Sequence, residues 1–101
     1  MTDANRWQLT DEQKHKFIMA LTGELKALRA KVGISQEDLA HMIGVSRQTY
    51  RTIEARERTM SWRTYLSLIL FYDYMEDTHS MIRALGIFPE GLVYQINGME
   101  V

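Results

Sequence analysis

Apolar residues recur near the start of the chain at Phe17, Leu21, Leu25, Leu28 and Val32, at spacings of four, four, three and four. That is the repeat of one helical face, and it predicts one long amphipathic helix from about Asp11 to Lys31. Thr10 and Gln13 form a capping box at its start, and Gly33 stops it. Ser35 opens a second helix whose first turn holds Gln36, Glu37 and Asp38, where carboxylates meet the positive end of the helix dipole. This helix ends at Gly44. Ser46 is again a good cap, and a third helix runs from Arg47 to about Ala55 with Tyr50 and Ile53 facing inward. The linker between the second and third helices is therefore only Gly44, Val45 and Ser46.

A fourth helix is expected from Ser61 through "WRTYLSLILFYDYM", and a fifth over "DTHSMIRAL", stopped by Gly86. Trp62, Tyr65, Leu66, Ile69 and Tyr72 form an inward stripe on the fourth, while Leu68, Leu70, Phe71, Tyr74 and Met75 cover its other sides. A helix that is apolar all round has to be buried all round. Two arrangements satisfy this: a dimer interface built on Leu68, Leu70, Phe71, Tyr74 and Met75, or a fifth helix and tail that cover the same face within one chain. The end of the chain is ambiguous. Pro89 can open a last helical turn, whereas "LVYQI" before Asn97 and Gly98 reads as a strand entering a tight turn. The expected organisation is a tail over 1–9, a helical domain over 10–88 and a C-terminal segment over 89–101 that serves dimerisation.

At 101 residues, 46% hydrophobic and 25% charged, the chain has the size and usage of one folded domain. It has no cysteine, and its histidines at 15, 41 and 79 are not spaced as two ligands on one helix face. No pair of titratable groups is spaced as an acid and base would be. An enzyme, a metal site, a cofactor and a small-molecule substrate are therefore not expected. The N-terminus lacks the apolar run of a signal peptide, and the longest apolar run, "LSLILFY", is far too short to cross a bilayer. A cytoplasmic protein without membrane contact is the default.

Two helices joined by three or four residues with a glycine form a helix-turn-helix, whose second helix enters the DNA major groove. Its packing demands are specific. Counting from Gln36 as position one, the fifth position needs a small residue and the ninth favours glycine; Ala40 and Gly44 are there. Positions four, eight, ten, fifteen and eighteen want apolar side chains, and Leu39, Ile43, Val45, Tyr50 and Ile53 supply them. The stretch "LKALRAKVGISQEDLAHMIGVSRQTYRTIEARER" resembles the DNA-binding domain of the phage repressor and Cro family, the Xre-type regulators, with its L-R, S-Q-x-x-L-A, G-V-S and closing I-E. The resemblance implies a compact all-α domain of four to five helices, similar to lambda repressor, over a motif at about 35–55. It implies a homodimeric transcription regulator or an antitoxin, with double-stranded DNA as its partner. Where the family commonly reads I-E-N-G-K-R, this chain has Ile53, Glu54, Ala55, Arg56, Glu57 and Arg58, so Arg56 stands at the place of a helix-ending glycine.

Carrying the family's contact positions over gives Ser46, Arg47, Gln48, Arg51 and Thr52 as base contacts, with Gln36, Arg56, Arg58 and Arg63 on the DNA backbone. The chemistry suits the task, since Arg pairs with guanine, Gln with adenine and Thr with the thymine methyl. A formal net charge of −1, taken over the whole chain, is unfavourable for a polyanion. The charge is unevenly spread: residues 1–46 carry six basic and six acidic groups, 47–63 five and two, and 64–101 one and five. The sums are 0, +3 and −4, and what counts within a Debye length of about 8 Å is the local field. The alternative is a protein-binding antitoxin whose acidic C-terminal part covers a basic toxin while it regulates its own operon.

Overall fold

The computed structural model describes residues 9–89, and within them six helices and no strand: α1 (Asp11–Thr22), α2 (Leu25–Val32), α3 (Gln36–Ile43), α4 (Arg47–Glu54), α5 (Trp62–Tyr74) and α6 (Glu76–Leu85). The all-α expectation holds. The tail expected over 1–9 and the C-terminal segment expected over 89–101, with its strand or turn, lie outside the described residues but for Leu9 and Pro89.

The long first helix is divided in two. Its capping box forms as expected: Gln13 N–H donates to Thr10 Oγ1 at 3.0 Å, and Thr10 N–H donates to Gln13 Oε1 at 2.8 Å. The ladder then tightens at Gly23 and Glu24, where the Glu24 amide bonds Leu21 O, only three residues back. Two local features act there. Thr22 Oγ1 donates to Ile18 O at 2.7 Å, and Gly23 is a poor helix former. The apolar repeat runs straight through the break, because Leu21, Leu25 and Leu28 are all fully buried.

Hydroxyl caps set the starts of α3, α4 and α5: Ser35, Ser46 and Ser61 each accept the amide hydrogen of the residue three positions on. Between α3 and α4 the chain turns at Gly44, with φ at 82°. The Gly44 amide bonds His41 O and the Val45 amide bonds Ala40 O, the paired bonds of a Schellman ending that needs a left-handed residue. This ending aims α4 across α3, over Leu39 and Ala40, both buried.

Helix α5 packs on α1, α3 and α6, and α6 also reaches α2. Three neighbours thus cover most of a helix that is apolar on every side. Tyr65, Leu68, Ile69 and Tyr72 are sealed in the core with Tyr50, Ile53 and Ile82. Leu68 is fully buried within the chain, so its expected place on a dimer surface is corrected. At the α1–α5 end Phe17, Trp62 and Tyr65 stack, with the Trp62 and Tyr65 ring centroids 4.8 Å apart and Lys14 Nζ over the indole. The α5–α6 corner is tied by Thr78 Oγ1, which donates to Tyr72 O at 2.7 Å, and by Arg83, which grips both oxygens of Asp73. Tyr65 donates its hydroxyl to Ile87 O and so draws the chain beyond α6 back onto α5.

One buried ion pair joins the motif together. Arg29 on α2 donates from Nε and Nη2 to the two oxygens of Glu54 on α4, both at 2.9 Å, and from Nη1 to Ile34 O at 3.1 Å. The Glu54 side chain is 1% exposed and that of Arg29 25%. Burial disfavours the Glu54 charge, but the Arg29 guanidinium outweighs it and holds the carboxyl below its ordinary range. Arg83 does the same, more openly, for Asp73.

Glu54→Gln leaves Arg29 without its countercharge and should cost about 3 kcal/mol in denaturant unfolding, the low end for a broken buried pair because Arg29 is partly hydrated. Both carboxyls have depressed folded-state pKa values, so their stabilisation is complete above their unfolded values of about 4 and is lost as pH falls through the folded ones. Melting temperatures followed from pH 7 to pH 2 should drop below about pH 4 in the parent, and Glu54→Gln should flatten part of that drop. An unchanged acid limb in the variant counts against the pair.

Candidate nucleic-acid interface

The outward face of α4 is built by its own caps and inward anchors. Tyr50 and Ile53, with Glu54 beside them, are buried against the core, which turns Arg47, Gln48 and Arg51 to the solvent. Ser46 caps the helix: its hydroxyl accepts from Thr49 N–H at 3.0 Å and donates to Thr49 Oγ1 at 2.9 Å. Thr52 is half-buried and donates to Thr49 O at 2.8 Å. Of the five expected base-contact residues, the two hydroxyls are therefore already engaged with the helix backbone. Gln48 is engaged too, since its Oε1 accepts from Arg51 Nη2 at 3.1 Å.

The basic side chains gather beside this face. Arg58 reaches back from the loop after α4, and its Nη1 donates to Thr49 Oγ1 at 3.3 Å. Arg56 follows the end of α4 and is exposed, and Arg63 lies exposed in the first turn of α5. Gln36 opens α3, half-buried, and helps hold Glu54 charged. The exposed Arg47 has the Glu37 carboxylate 3.9 Å from its Nη1, each side chain about 70% exposed. Burial changes the charge count of this segment. Of the two acids in 47–63, Glu54 is sealed against Arg29, so five exposed arginines face one exposed acid, Glu57.

The end of α4 answers the question raised by the missing glycine. The Arg56 amide bonds Ile53 O at 3.0 Å and the Glu57 amide bonds Thr52 O at 2.9 Å, the same Schellman pairing as at Gly44. Arg56 itself takes the left-handed conformation, with φ at 65°. It is the only non-glycine residue with positive φ among the described residues. The family's turn is kept and the strain is carried by an arginine.

The motif positions sit as the spacing demanded. Leu39, Ala40, Tyr50 and Ile53 are buried, and Ile43 and Val45 pack against them partly covered. The Tyr50 and Tyr72 hydroxyls point into the same region as the ion pair without a hydrogen-bond partner, and burial pushes both phenols well above their ordinary range. His15, His41 and His79 are exposed; His79 Nδ1 lies 2.7 Å from Asp73 O and belongs to the α5–α6 corner. Sequence reasoning missed the mutual contact of Arg29 and Glu54, although the L-R and I-E steps that hold them had been singled out. It also missed Thr49, which the loop after α4 brings to Arg58, and Glu37, which nears Arg47 only once α3 and α4 cross.

A second surface lies away from this face. Leu70 is 72% exposed, Tyr74 85% and Met42 59%. With Ile43, Ser67 and Phe71 they line a groove of about 470 Å³ between α3 and α5. Met75 is half-buried at the end of α5.

Two short helices crossed about a glycine turn, with the second offering a basic outer face, define a helix-turn-helix DNA-binding domain. The comparison of the chain with known families agrees: the family model described as Helix-turn-helix matches residues 25–61, which span α2, α3, α4 and the loop to α5. Over these residues the chain is similar to the Xre-like helix-turn-helix family, a DNA-binding family that is generally not enzymatic. No curated protein and no solved structure matches the chain. Among the described residues no helix is long and apolar enough to cross a membrane.

Arg56→Gly should stabilise the fold. Relief of a left-handed side chain is worth about 1 to 2 kcal/mol, and the added freedom of glycine in the unfolded chain takes back up to about 1. A rise in Tm of a few degrees is the expected reading, and a fall would mean that the Arg56 side chain holds the loop by contacts that outweigh its backbone strain.

Proposed function

We propose that the protein is a sequence-specific transcription regulator that binds double-stranded DNA as a homodimer, with α4 in the major groove. The observation that carries this reading is the outer face of α4: Arg47 and Arg51 project from a helix whose inner side is locked by Tyr50, Ile53 and the Arg29–Glu54 pair. Ser46 and Thr52 flank them and contribute close packing at the bases. Gln36, Arg56, Arg58 and Arg63 take the phosphates, which give affinity without sequence information. Arginine at a left-handed position is a cost to the fold, and a phosphate contact is a reason to keep it.

The shape of the uncovered side of α5 supports dimerisation there. Tyr74 and Leu70 protrude beside the groove lined by Met42, Ile43 and Phe71. A ridge and a hollow on one face are what a two-fold interface needs, because each copy then fills the other. Met75, half-buried at the end of α5, extends this surface. Two heads so joined read half-sites about one helical turn apart, near 34 Å. The second reading places another protein on the same apolar face, as an antitoxin with a basic toxin would. On that side Glu76 and Asp77 are exposed in the first turn of α6, whereas Asp73 is taken by Arg83.

Selection from a random duplex pool with purified protein should yield a two-fold related sequence, and failure to enrich any duplex at low salt would falsify this reading. Arg47→Ala and Arg51→Ala should relax base preference at single positions, each by about tenfold. Arg58→Ala should weaken all duplexes alike and reduce the slope of log affinity against log salt by about one. For the dimer, Leu70→Glu with Tyr74→Glu should give a monomer by sedimentation with an unchanged Tm, since both side chains are outside the core; a surviving dimer places the interface elsewhere, and copurification of a basic partner favours the antitoxin.

A further inference from the structure

On the reading face the acceptors of Ser46, Thr49 and Gln48 are used inside the chain, the half-buried Thr52 hydroxyl is turned to Thr49 O, and the Gln48 amide and arginine donors are left outward. Ser46 Oγ accepts from the Thr49 amide. Thr49 Oγ1 accepts from Ser46 and from Arg58. Gln48 Oε1 accepts from Arg51 Nη2. This last contact also settles the orientation of the amide. A guanidinium only donates, so the side of Gln48 turned to Arg51 has to be its oxygen, and the NH₂ group is turned away.

A glutamine that reads adenine uses its oxygen to accept from N6–H and its nitrogen to donate to N7. Here the oxygen is drawn along the helix to Arg51, one turn on. What remains at the surface is the NH₂ of Gln48 with the guanidinium groups of Arg47 and Arg51, all donors. Among base edges in the major groove, guanine alone offers two adjacent acceptors, O6 and N7.

Resting on the DNA-binding reading above, we propose that Gln48 is a positioning residue that orients the guanidinium of Arg51, and that the half-site is read through guanines opposite Arg47 and Arg51. The glutamine-to-adenine contact that side-chain chemistry suggests is thereby replaced by one coupled Gln48–Arg51 reader. Gln48 contributes at the position that Arg51 reads and has no base pair of its own.

The test is the random-duplex selection repeated with Gln48→Ala, Gln48→Glu and Arg51→Ala, scoring base preference column by column. Guanine should dominate two columns of each half-site in the parent. Arg51→Ala and Gln48→Ala should both relax the same column, Arg51→Ala by about tenfold and Gln48→Ala by less. Gln48→Glu keeps an acceptor for Arg51, so it should restore guanine in that column even if its negative charge lowers affinity for every duplex. A merely structural role for Gln48 would lower all columns together and would not be rescued by Glu. Enrichment of adenine in a separate column that Gln48→Ala alone abolishes would overturn the proposal. Enrichment of a half-site without guanine would do the same while leaving DNA binding intact, whereas no enrichment at all would fail the DNA-binding reading itself.

Discussion

The pairing of Arg29 with Glu54 is the constraint on which the helix-turn-helix depends. Helix α4 is eight residues long, too short to hold its own shape or direction in water. Tyr50 and Ile53 give it an apolar anchor, but an apolar anchor alone lets a short helix roll. A two-pronged guanidinium–carboxylate contact does not, because both hydrogen bonds have to stay in one plane. Arg29 adds its third bond to Ile34 O, so the same side chain also holds the chain between α2 and α3. The beginning and the end of the motif are thus tied through its interior.

This pair also shapes the electrostatics outside. A carboxylate at position 54 would weaken the field over the basic face if it were exposed. Buried and neutralised by Arg29, it leaves that field to Arg47, Arg51, Arg56 and Arg58, with Glu57 the one exposed acid among them. The acidic residues of the C-terminal part lie on other elements, and Asp73 there is bound by Arg83. A chain with formal charge −1 therefore presents a locally positive surface. The same turn geometry ends both α3 and α4, once with Gly44 and once with Arg56, and the second use trades backbone comfort for a cation beside α4.

Helix α5 shows how far an apolar count can mislead. It carries enough large side chains to suggest burial on every side, and three neighbouring helices supply nearly all of it. Leu68 belongs to that interior. What stays uncovered is a narrow ridge, Leu70 and Tyr74, beside a hollow that α3 completes with Met42 and Ile43. The uncovered face is therefore partly made by the helix-turn-helix, so anything bound there rests against the element that positions α4.

The local signals in the chain decided a great deal by themselves. Ser35, Ser46 and Ser61 are good caps wherever they stand before a helix, Gly44 turns easily, and the apolar spacing from Leu39 to Ile53 allows one way of crossing two helices. These are short-range properties, and the caps, the turn and the inward residues of the motif were legible from them. Other features required the folded molecule. Whether Leu68 or Leu70 faces inward depends on where α1, α3 and α6 lie around α5. Arg29 and Glu54, twenty-five residues apart, could be recognised as partners only when α2 and α4 met. The hydrogen bond that takes the oxygen of Gln48 likewise depends on rotamers selected on the finished surface. Sequence determined where the caps and turns of the helix-turn-helix fall and which side chains it buries; tertiary structure decided which charges and hydroxyls remain free on its outer face, because that depends on distances the chain order does not contain.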